Sequence, residues 1–246
     1  MKLKPAGWKE FMIEFMMIFF AIVFGFLADN FRESLAERKE LSDYMKSLLI
    51  DLEKDREELK NNSEYGKITI LGNDSLTHLL AQKDLRGKER ALYHYYALFA
   101  TGISIPFHDR TISQLKYSGK FRIIENQNVS DAIVDYEKSV IGLKTANEGL
   151  WNNNIIQFSQ NSSSRLFDFS IVYQYQQMAK KYKLEWSKVG YPDDVRLFSY
   201  DRNDINQFRN ALGMARKQDV GVLDGNDRIL SMNIRLDSLI RRVYFR

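Results

Sequence analysis

The residue types that perform most enzymatic chemistry are scarce in this sequence or are not spaced for it. The chain has no cysteine, which removes disulfides, thiolate metal sites and cysteine nucleophiles together. Its three histidines, His78, His94 and His108, have no second histidine or acid at metal-binding spacing on one helix. His108 precedes Asp109, but the sequence has no Gly-x-Ser-x-Gly turn and no glycine-rich phosphate loop. We therefore expect no catalytic site, no cofactor and no metal, and a protein that is not an enzyme.

One acidic stretch, residues 219–227, has a composition that invites a cation-binding interpretation. It combines aspartates with glycines, but it lacks the alternating ligand order of a calcium loop. We predict a turn at residues 224–227 that leads into a helix cap. Acidic residues are frequent elsewhere in the chain, so an enzyme with an unrecognised carboxylate pair remains the weakest alternative.

Glu14 is the charged residue in the least ordinary position. It is the only charge in residues 11–28, an apolar run that covers roughly 27 Å as a helix, about the thickness of a bilayer core. The length of the run and the bulky Phe26 near its end argue against a cleaved signal peptide. A buried core helix of this length usually shows a polar face, and an interfacial helix needs a face rich in lysine and arginine. We expect residues 11–28 to form a single transmembrane helix embedded in the lipid bilayer.

The predicted span has two different faces. Glu14, Ala21, Gly25 and Ala28 fall on one line of an ideal helix, while the opposite side carries four phenylalanines and a valine. Small residues let helix backbones approach closely, so this face predicts packing against another helix. Because a carboxyl group in a bilayer rarely faces lipid, Glu14 has two interpretations. It is either a structural group, bonded to a neighbouring helix or to headgroups, or an ion-handling carboxylate that titrates.

The charges that flank the span predict its orientation. Residues 1–10 form a short basic tail in which Lys2, Lys4 and Lys9 are opposed only by Glu10. A few basic residues also follow the span, so the bias is small. We expect the N-terminus to be cytoplasmic and the large domain to lie on the other side of the membrane.

A long helix is predicted to continue from the span, over residues 29–62. It carries an apolar stripe at spacings of four, three, four and seven residues, as core positions of a heptad repeat would. Asp55 occupies one of these core positions. The pattern leaves two alternatives open, which are a coiled coil with another chain and packing on later helices of the same chain. The stripe consists of Leu41, Met45, Leu48, Leu52 and Leu59.

Residues 63–246 are predicted to form a helical domain after a polar break at residues 61–63. The sequence contains three prolines, and only residues 121–124 and 170–173 resemble strands. The predicted class is therefore all-α, with the transmembrane helix and its extension followed by a helical bundle. The predicted helices cover residues 68–81, 89–101, 110–117, 128–160, 166–183, 204–217 and 228–244.

The overall charge gives little support to nucleic-acid binding. The net charge is +4 and both signs are interspersed, whereas nucleic-acid binding wants a clustered basic patch. Arg235, Arg241, Arg242 and Arg246 make the C-terminus basic. We interpret them as a solvated face that also compensates the helix dipole, with an acidic partner or lipid headgroups as the alternative.

Two stretches resemble an uncharacterised family of membrane-anchored proteins that is widespread in Bacteroidetes bacteria. The first is residues 14–33, with a glutamate near the start of the span and the exit GFLADNFRE. The second is residues 115–136, in which Ser-Gly is followed by an apolar pair and a capped helix that ends in tyrosine. The family usually has glycine where this chain has Ile13, and often tryptophan where it has Phe31. The resemblance implies a single span, a mostly helical domain and a Gram-negative envelope, without an activity.

These observations lead to one functional expectation and one alternative. We expect a single-pass protein of the bacterial inner membrane whose C-terminal domain is periplasmic. Its role would be that of a non-enzymatic scaffold or accessory subunit of an envelope complex. It would self-associate through its transmembrane and juxtamembrane helices, or bind other envelope membrane proteins. The alternative is an ion-coupled membrane subunit in which Glu14 titrates.

Overall fold

The fold is all-α, as the sequence predicts. The computed structural model describes residues 7–100, 105, 107–150, 156–181 and 195–245, and within these ranges it contains no β-strand. A 3-10 turn, Lys120–Ile123, precedes the fourth helix. The helices are α1 (Trp8–Leu80), α2 (Glu89–Phe99), α3 (Arg110–Tyr117), α4 (Gln127–Leu150), α5 (Ile156–Ser163), α6 (Phe169–Lys181) and α7 (Arg202–Tyr244).

Helix α1 runs without interruption for 73 residues, a length of roughly 110 Å. Its N-terminal part has a window of mean hydropathy 2.4 with none of its residues buried, and by length and composition it can cross a membrane. Burial against the rest of the chain begins at Leu41. A long apolar N-terminal helix therefore continues directly into the helical domain. Most of the predicted basic tail, residues 1–10, lies outside the described residues.

The predicted break at residues 61–63 is wrong, because α1 continues through it and Ser63 faces another helix. Ser63 is buried, and its Oγ donates to the Leu59 carbonyl at 3.2 Å and lies 2.6 Å from Asp227 Oδ1. Asn226 Nδ2 donates to the same Leu59 carbonyl at 2.9 Å. These bonds satisfy the buried Ser63 hydroxyl and the Asn226 amide nitrogen inside the helix pair, so α1 continues through Ser63.

The predicted turn at residues 224–227 is also wrong, and α7 is one helix of 43 residues. Gly225 and Asn226 are buried in its interior. A Cβ at Gly225 would lie 2.6 Å from Leu143 Cδ1, so the missing side chain lets α4 pack closely against α7. Gly225 and Asn226, which suggested a turn, therefore belong to a helix-packing face, whereas Asp224 is exposed.

Helices α1 and α7 pack against each other in opposite directions along one continuous heptad pattern. Asn73 on α1 bonds to the Leu212 carbonyl, whereas Asn233 on α7 bonds to the Leu52 carbonyl, both at 2.9 Å. Every core position of the pattern is buried except Asn62, which is half-buried. On α1 these positions are 41, 45, 48, 52, 55, 59, 62, 66, 69, 73, 76 and 80, and on α7 they are 205, 208, 212, 215, 219, 222, 226, 229, 233, 236 and 240.

The other helices surround this pair and complete two hydrophobic cores. The proximal core, which is the one nearer to the apolar run, contains the predicted stripe, together with residues of α3, α4 and the C-terminal half of α7. The stripe residues, Leu41, Met45, Leu48, Leu52 and Leu59, are between 0% and 9% exposed, and they pack on later helices of the same chain. The distal core joins the end of α1 to α2, α6 and the first half of α7, around stacked rings of Tyr96 and Phe167 at 4.5 Å.

Some of the predicted helix boundaries differ from those of the structure. Helix α3 has the predicted bounds, and Gly119 follows it with the positive φ of 68° expected past a helix end. Helix α4 begins earlier than predicted, with Asn126 Oδ1 accepting from the Val129 backbone N–H at 3.2 Å. The strand-like residues 121–124 form the 3-10 turn with its C-terminal cap, and residues 170–173 belong to α6. The sequence also predicts a loop at residues 190–194, which lie outside the described residues.

We predict that Gly72→Ala destabilises the domain by about 1–3 kcal/mol, the usual range for an overpacked core. A Cβ at Gly72 would lie 2.5 Å from the Phe99 backbone N and 2.8 Å from the Tyr95 carbonyl, and α2 backbone cannot yield easily. Gly213→Ala is the matched control, since this exposed helical glycine has nothing within 4 Å of its added Cβ. It should stabilise by up to about 1 kcal/mol. Denaturant unfolding in detergent measures both, and equal effects would contradict the α1–α2 contact.

Candidate functional site

The predicted packing face of the span is exposed in the single chain. Glu14, Ala21, Gly25 and Ala28 are all exposed, and a Cβ at Gly25 would meet nothing within 4 Å. The phenylalanines at 15, 19, 20 and 24 form a ladder of ring contacts with centroid distances of 5.8 to 6.3 Å. The span thus offers a smooth face with one carboxyl group and an aromatic surface suited to lipid.

A second polar site, which the sequence did not indicate, is centred on Asp55 in the proximal core. Asp55 is 1% exposed. Its Oδ1 accepts from both the backbone N–H and the ring Nδ1 of His108 at 2.8 Å, and its Oδ2 accepts from the Tyr136 hydroxyl at 2.8 Å. Burial, and then the neighbouring Asp55 carboxylate, raise the pKa of Tyr136 well above its usual value. The phenol therefore stays protonated and serves as a donor.

The hydrogen bonds continue from Tyr136 across to α7. The Tyr136 hydroxyl accepts from Asn233 Nδ2 at 3.2 Å, and Asn233 Oδ1 accepts from Arg56 Nε at 3.0 Å. Arg56 also binds Asp237 at 2.8 Å. Burial alone would raise the pKa of Asp237, but hydrogen bonds from Arg241 and Arg56 outweigh it and hold that pKa below its usual range. One network thus ties α1, α4 and α7 to the segment that contains His108.

The geometry of this network suits the orientation and holding of neighbouring groups. An aspartate bonded to histidine Nδ1 fixes the imidazole, as in catalytic pairs. His108 is only about a third exposed, and its Nε2 lies 3.8 Å from Glu58 Oε1. The described residues contain no group of three or more metal-ligating side chains. The geometry supports a clamp that holds residues 107–111 against α1.

Asp51, one turn before Asp55, completes this clamp by capping α3. Asp51 Oδ2 accepts from the Thr111 backbone N–H at 3.1 Å and from the Thr111 hydroxyl at 2.5 Å. The sequence predicts Asp109 as the cap, but its side chain makes no capping bond and accepts instead from Ser113 Oγ at 3.1 Å. The cap therefore comes from another helix, which local sequence patterns do not show.

A buried polar layer separates the two hydrophobic cores along the α1–α7 pair. Asp219 is its titratable member and is 4% exposed, and its Oδ2 has no hydrogen-bond partner among the described residues. Burial raises the pKa of Asp219 to about 7. The residues of this polar layer are Ser63, Thr69, Asn73, Asp219 and Asn226.

One pattern in the sequence indicates both the buried network around Asp55 and the polar layer. Asp55, Thr69, Asn73, Asn226 and Asn233 all occupy core positions of a heptad pattern, where polar residues set the register of a helix pair. If the heptad pattern is continued through its polar positions, and is not ended at the first of them, it predicts that α1 is continuous. The contribution of His108 is not predictable in this way, because it comes from a connecting segment.

No family model, curated protein or solved structure is significantly similar to this chain. The resemblance to the Bacteroidetes family therefore stays a prediction.

We predict that Asp219→Asn stabilises the domain at neutral pH but not at pH 4. The pKa of Asp219 is about 7 in the folded state against 3.8 for the free group, so its protonated form favours folding. Its contribution is fully present below pH 3.8 and is lost as the pH rises to about 7, at about 1.4 kcal/mol per pH unit. Asparagine, which is neutral throughout, should be more stable than the wild type by about 4 kcal/mol above pH 7.

Denaturant unfolding of both proteins in detergent from pH 4 to pH 8 measures this difference. Asp224→Asn removes an exposed acid from the same helix and is the control. A gap between wild type and Asp219→Asn that is constant with pH would show that Asp219 does not titrate in this range.

Proposed function

We propose that this protein is a membrane-anchored, non-enzymatic scaffold or accessory subunit of an envelope complex. It would sit in a bacterial inner membrane as a single-pass protein, with a cytoplasmic N-terminus and a periplasmic C-terminal domain. The observation that carries the proposal is the uninterrupted helix α1, which joins an apolar run to the far end of the domain over 73 residues.

The continuous helix makes the domain a rigid extension of its anchor. From the end of the apolar run, at Ala28, to the end of α1, at Leu80, the helix rises about 78 Å. Contacts with α7 and α2 stiffen most of this length. A protein of this shape fixes the position of whatever it binds relative to the membrane, which is the task of a scaffold.

Self-association is assigned to the span rather than to the juxtamembrane stripe. The stripe is buried inside the chain's own proximal core, so it has no apolar surface left for a coiled coil with a second chain. The face of Glu14, Ala21, Gly25 and Ala28 is free of contacts with the rest of the chain. Close packing of small residues supports helix association in lipid, either with a second copy or with another envelope membrane protein.

The alternative function, an ion-coupled subunit, rests on Glu14. Its carboxyl group lies on the same exposed face as the small residues, where a neighbouring helix or a bound ion would find it. A structural Glu14 needs only its hydrogen bonds, whereas an ion-handling Glu14 must change its charge.

We predict that Gly25→Leu reduces cross-linked oligomer by about fivefold, the factor that corresponds to a packing loss of about 1 kcal/mol. The leucine side chain has room within one chain but would separate two backbones at the contact. Phe26→Leu, on the opposite face, is the control and should leave assembly unchanged. Cross-linking in mild detergent and in membranes measures both. Full assembly of Gly25→Leu would place the association surface elsewhere.

We predict that Glu14→Gln keeps both assembly and function, because glutamine preserves shape and hydrogen bonding and removes only the charge. Glu14→Leu, which removes the hydrogen bond as well, should weaken assembly by about 1 kcal/mol. Complementation of a deletion strain, together with cross-linking, separates the two functions. An assembled Gln variant that fails to complement would favour the ion-coupled subunit.

A further inference from the structure

The position of the domain above the membrane follows from the exposed residues of α1 that come directly after the apolar run. Phe31 and Leu35 are 68% and 50% exposed in the chain, although neither belongs to the predicted hydrocarbon segment. Exposed apolar residues next to a span are favourable in the interfacial layer and unfavourable in water. With Phe31 at the edge of the hydrocarbon, Leu35 lies about 6 Å further along the helix, inside a headgroup layer of about 5–8 Å.

The 3-10 turn Lys120–Ile123 makes the described contacts with α1 that lie nearest to the apolar run. Two ion pairs fix its height, with Lys120 Nζ 2.8 Å from Glu40 Oε2 and an Arg122 guanidinium nitrogen 3.7 Å from Glu37 Oε1. Glu37 is six residues beyond Phe31, a rise of about 9 Å, so the turn stands just above the headgroup layer, within reach of its long basic side chains. Glu37 and Glu40 lie on roughly the opposite side of α1 from Phe31 and Leu35. The headgroup layer would therefore be next to the protein on both sides of the helix.

The side chains of this turn suit a phospholipid surface. The Arg122 side chain is 75% exposed, and its weak pair with Glu37 leaves guanidinium donors directed to the surroundings. Guanidinium groups bind phosphate through paired hydrogen bonds, and long basic side chains reach along apolar surfaces to a charged layer. The ring of Phe121 is half-buried beside Arg122, and it offers an aromatic edge at the same height.

We propose that the turn Lys120–Ile123 rests on the phospholipid headgroups beside the span, with the Arg122 guanidinium against lipid phosphate. The inference depends on the proposed membrane anchor. It gives the domain a second point of attachment, so that the membrane fixes both the rotation and the tilt of the domain about α1. A scaffold held at two points presents its distal end in one orientation.

The chain has no cysteine, so a single introduced cysteine carries a fluorophore at a chosen site. The full-length protein is reconstituted in vesicles of phosphatidylethanolamine and phosphatidylglycerol that contain a lipid with a nitroxide on its headgroup. A label at Arg122→Cys should be quenched several-fold more than one at Lys83→Cys. Lys83 is exposed beyond the far end of α1, roughly 80 Å past the apolar run.

The phosphate contact is tested with the label at Ser118→Cys, an exposed position beside the turn. Arg122→Glu should lower lipid quenching there by about twofold through repulsion from phosphate, and Arg122→Lys should retain it.

Three outcomes distinguish this inference from the anchor on which it depends. Failure of the protein to float with the vesicles would overturn the anchor and with it the contact. Flotation with equal quenching at positions 122 and 83 would overturn the contact alone. Shielding of position 122 from aqueous iodide without lipid quenching would show that a protein covers the turn, which would also overturn it.

Discussion

The antiparallel packing of α1 against α7 is the constraint on which the rest of the structure depends. A helix of 73 residues is not held straight by its own hydrogen bonds, and α1 contains polar and glycine residues in its second half. Helix α7 packs along α1 from Leu41 to Leu80, so that polar and glycine residues of α1 lie buried at core positions. The shorter helices pack on this pair, so both hydrophobic cores exist only because the two long helices remain continuous.

Polar residues fix the alignment of the pair. Asn226 and Asn233 are seven residues apart on α7, and each donates to a backbone carbonyl of α1, at Leu59 and Leu52. Asn73 makes the reciprocal bond to α7. A shift by one turn would leave several buried amides without partners, at a cost of about 1–3 kcal/mol each. The apolar residues supply stability through burial, and the asparagines select one register.

The sequence predicts the elements with regular apolar spacing, and it fails where polar residues are buried. The apolar run, the stripe from Leu41 to Leu59 and the bounds of α3 follow from local patterns, because each pattern is visible within one segment. The continuous course of α1 through Ser63 and of α7 through Gly225 does not, since both residues resemble breaks until the partner helix is known. The Asp55–His108 bond and the Asp51 cap join residues more than fifty positions apart, and no local signal indicates them.

The same distinction applies to the candidate sites. The face of the span follows from helical phase alone, as a set of positions on one side of a helix, and its role in packing stays a prediction. Its partner remains a proposal. The clamp around His108 required the tertiary structure, because it joins a connecting segment to a face of α1 that lies more than fifty positions away in the sequence.

Helix α1 is one rigid helix from the apolar run to the distal end of the domain. This continuity is tested most directly by the distance between spin labels at Arg38→Cys and Leu71→Cys, two exposed positions on either side of the polar residues 61–63. In the full-length protein in lipid, we expect a narrow distribution near 50 Å, which is 33 residues at about 1.5 Å each. A broad distribution, or one centred below about 40 Å, would mean that the helix bends or breaks at residues 61–63 and would contradict it.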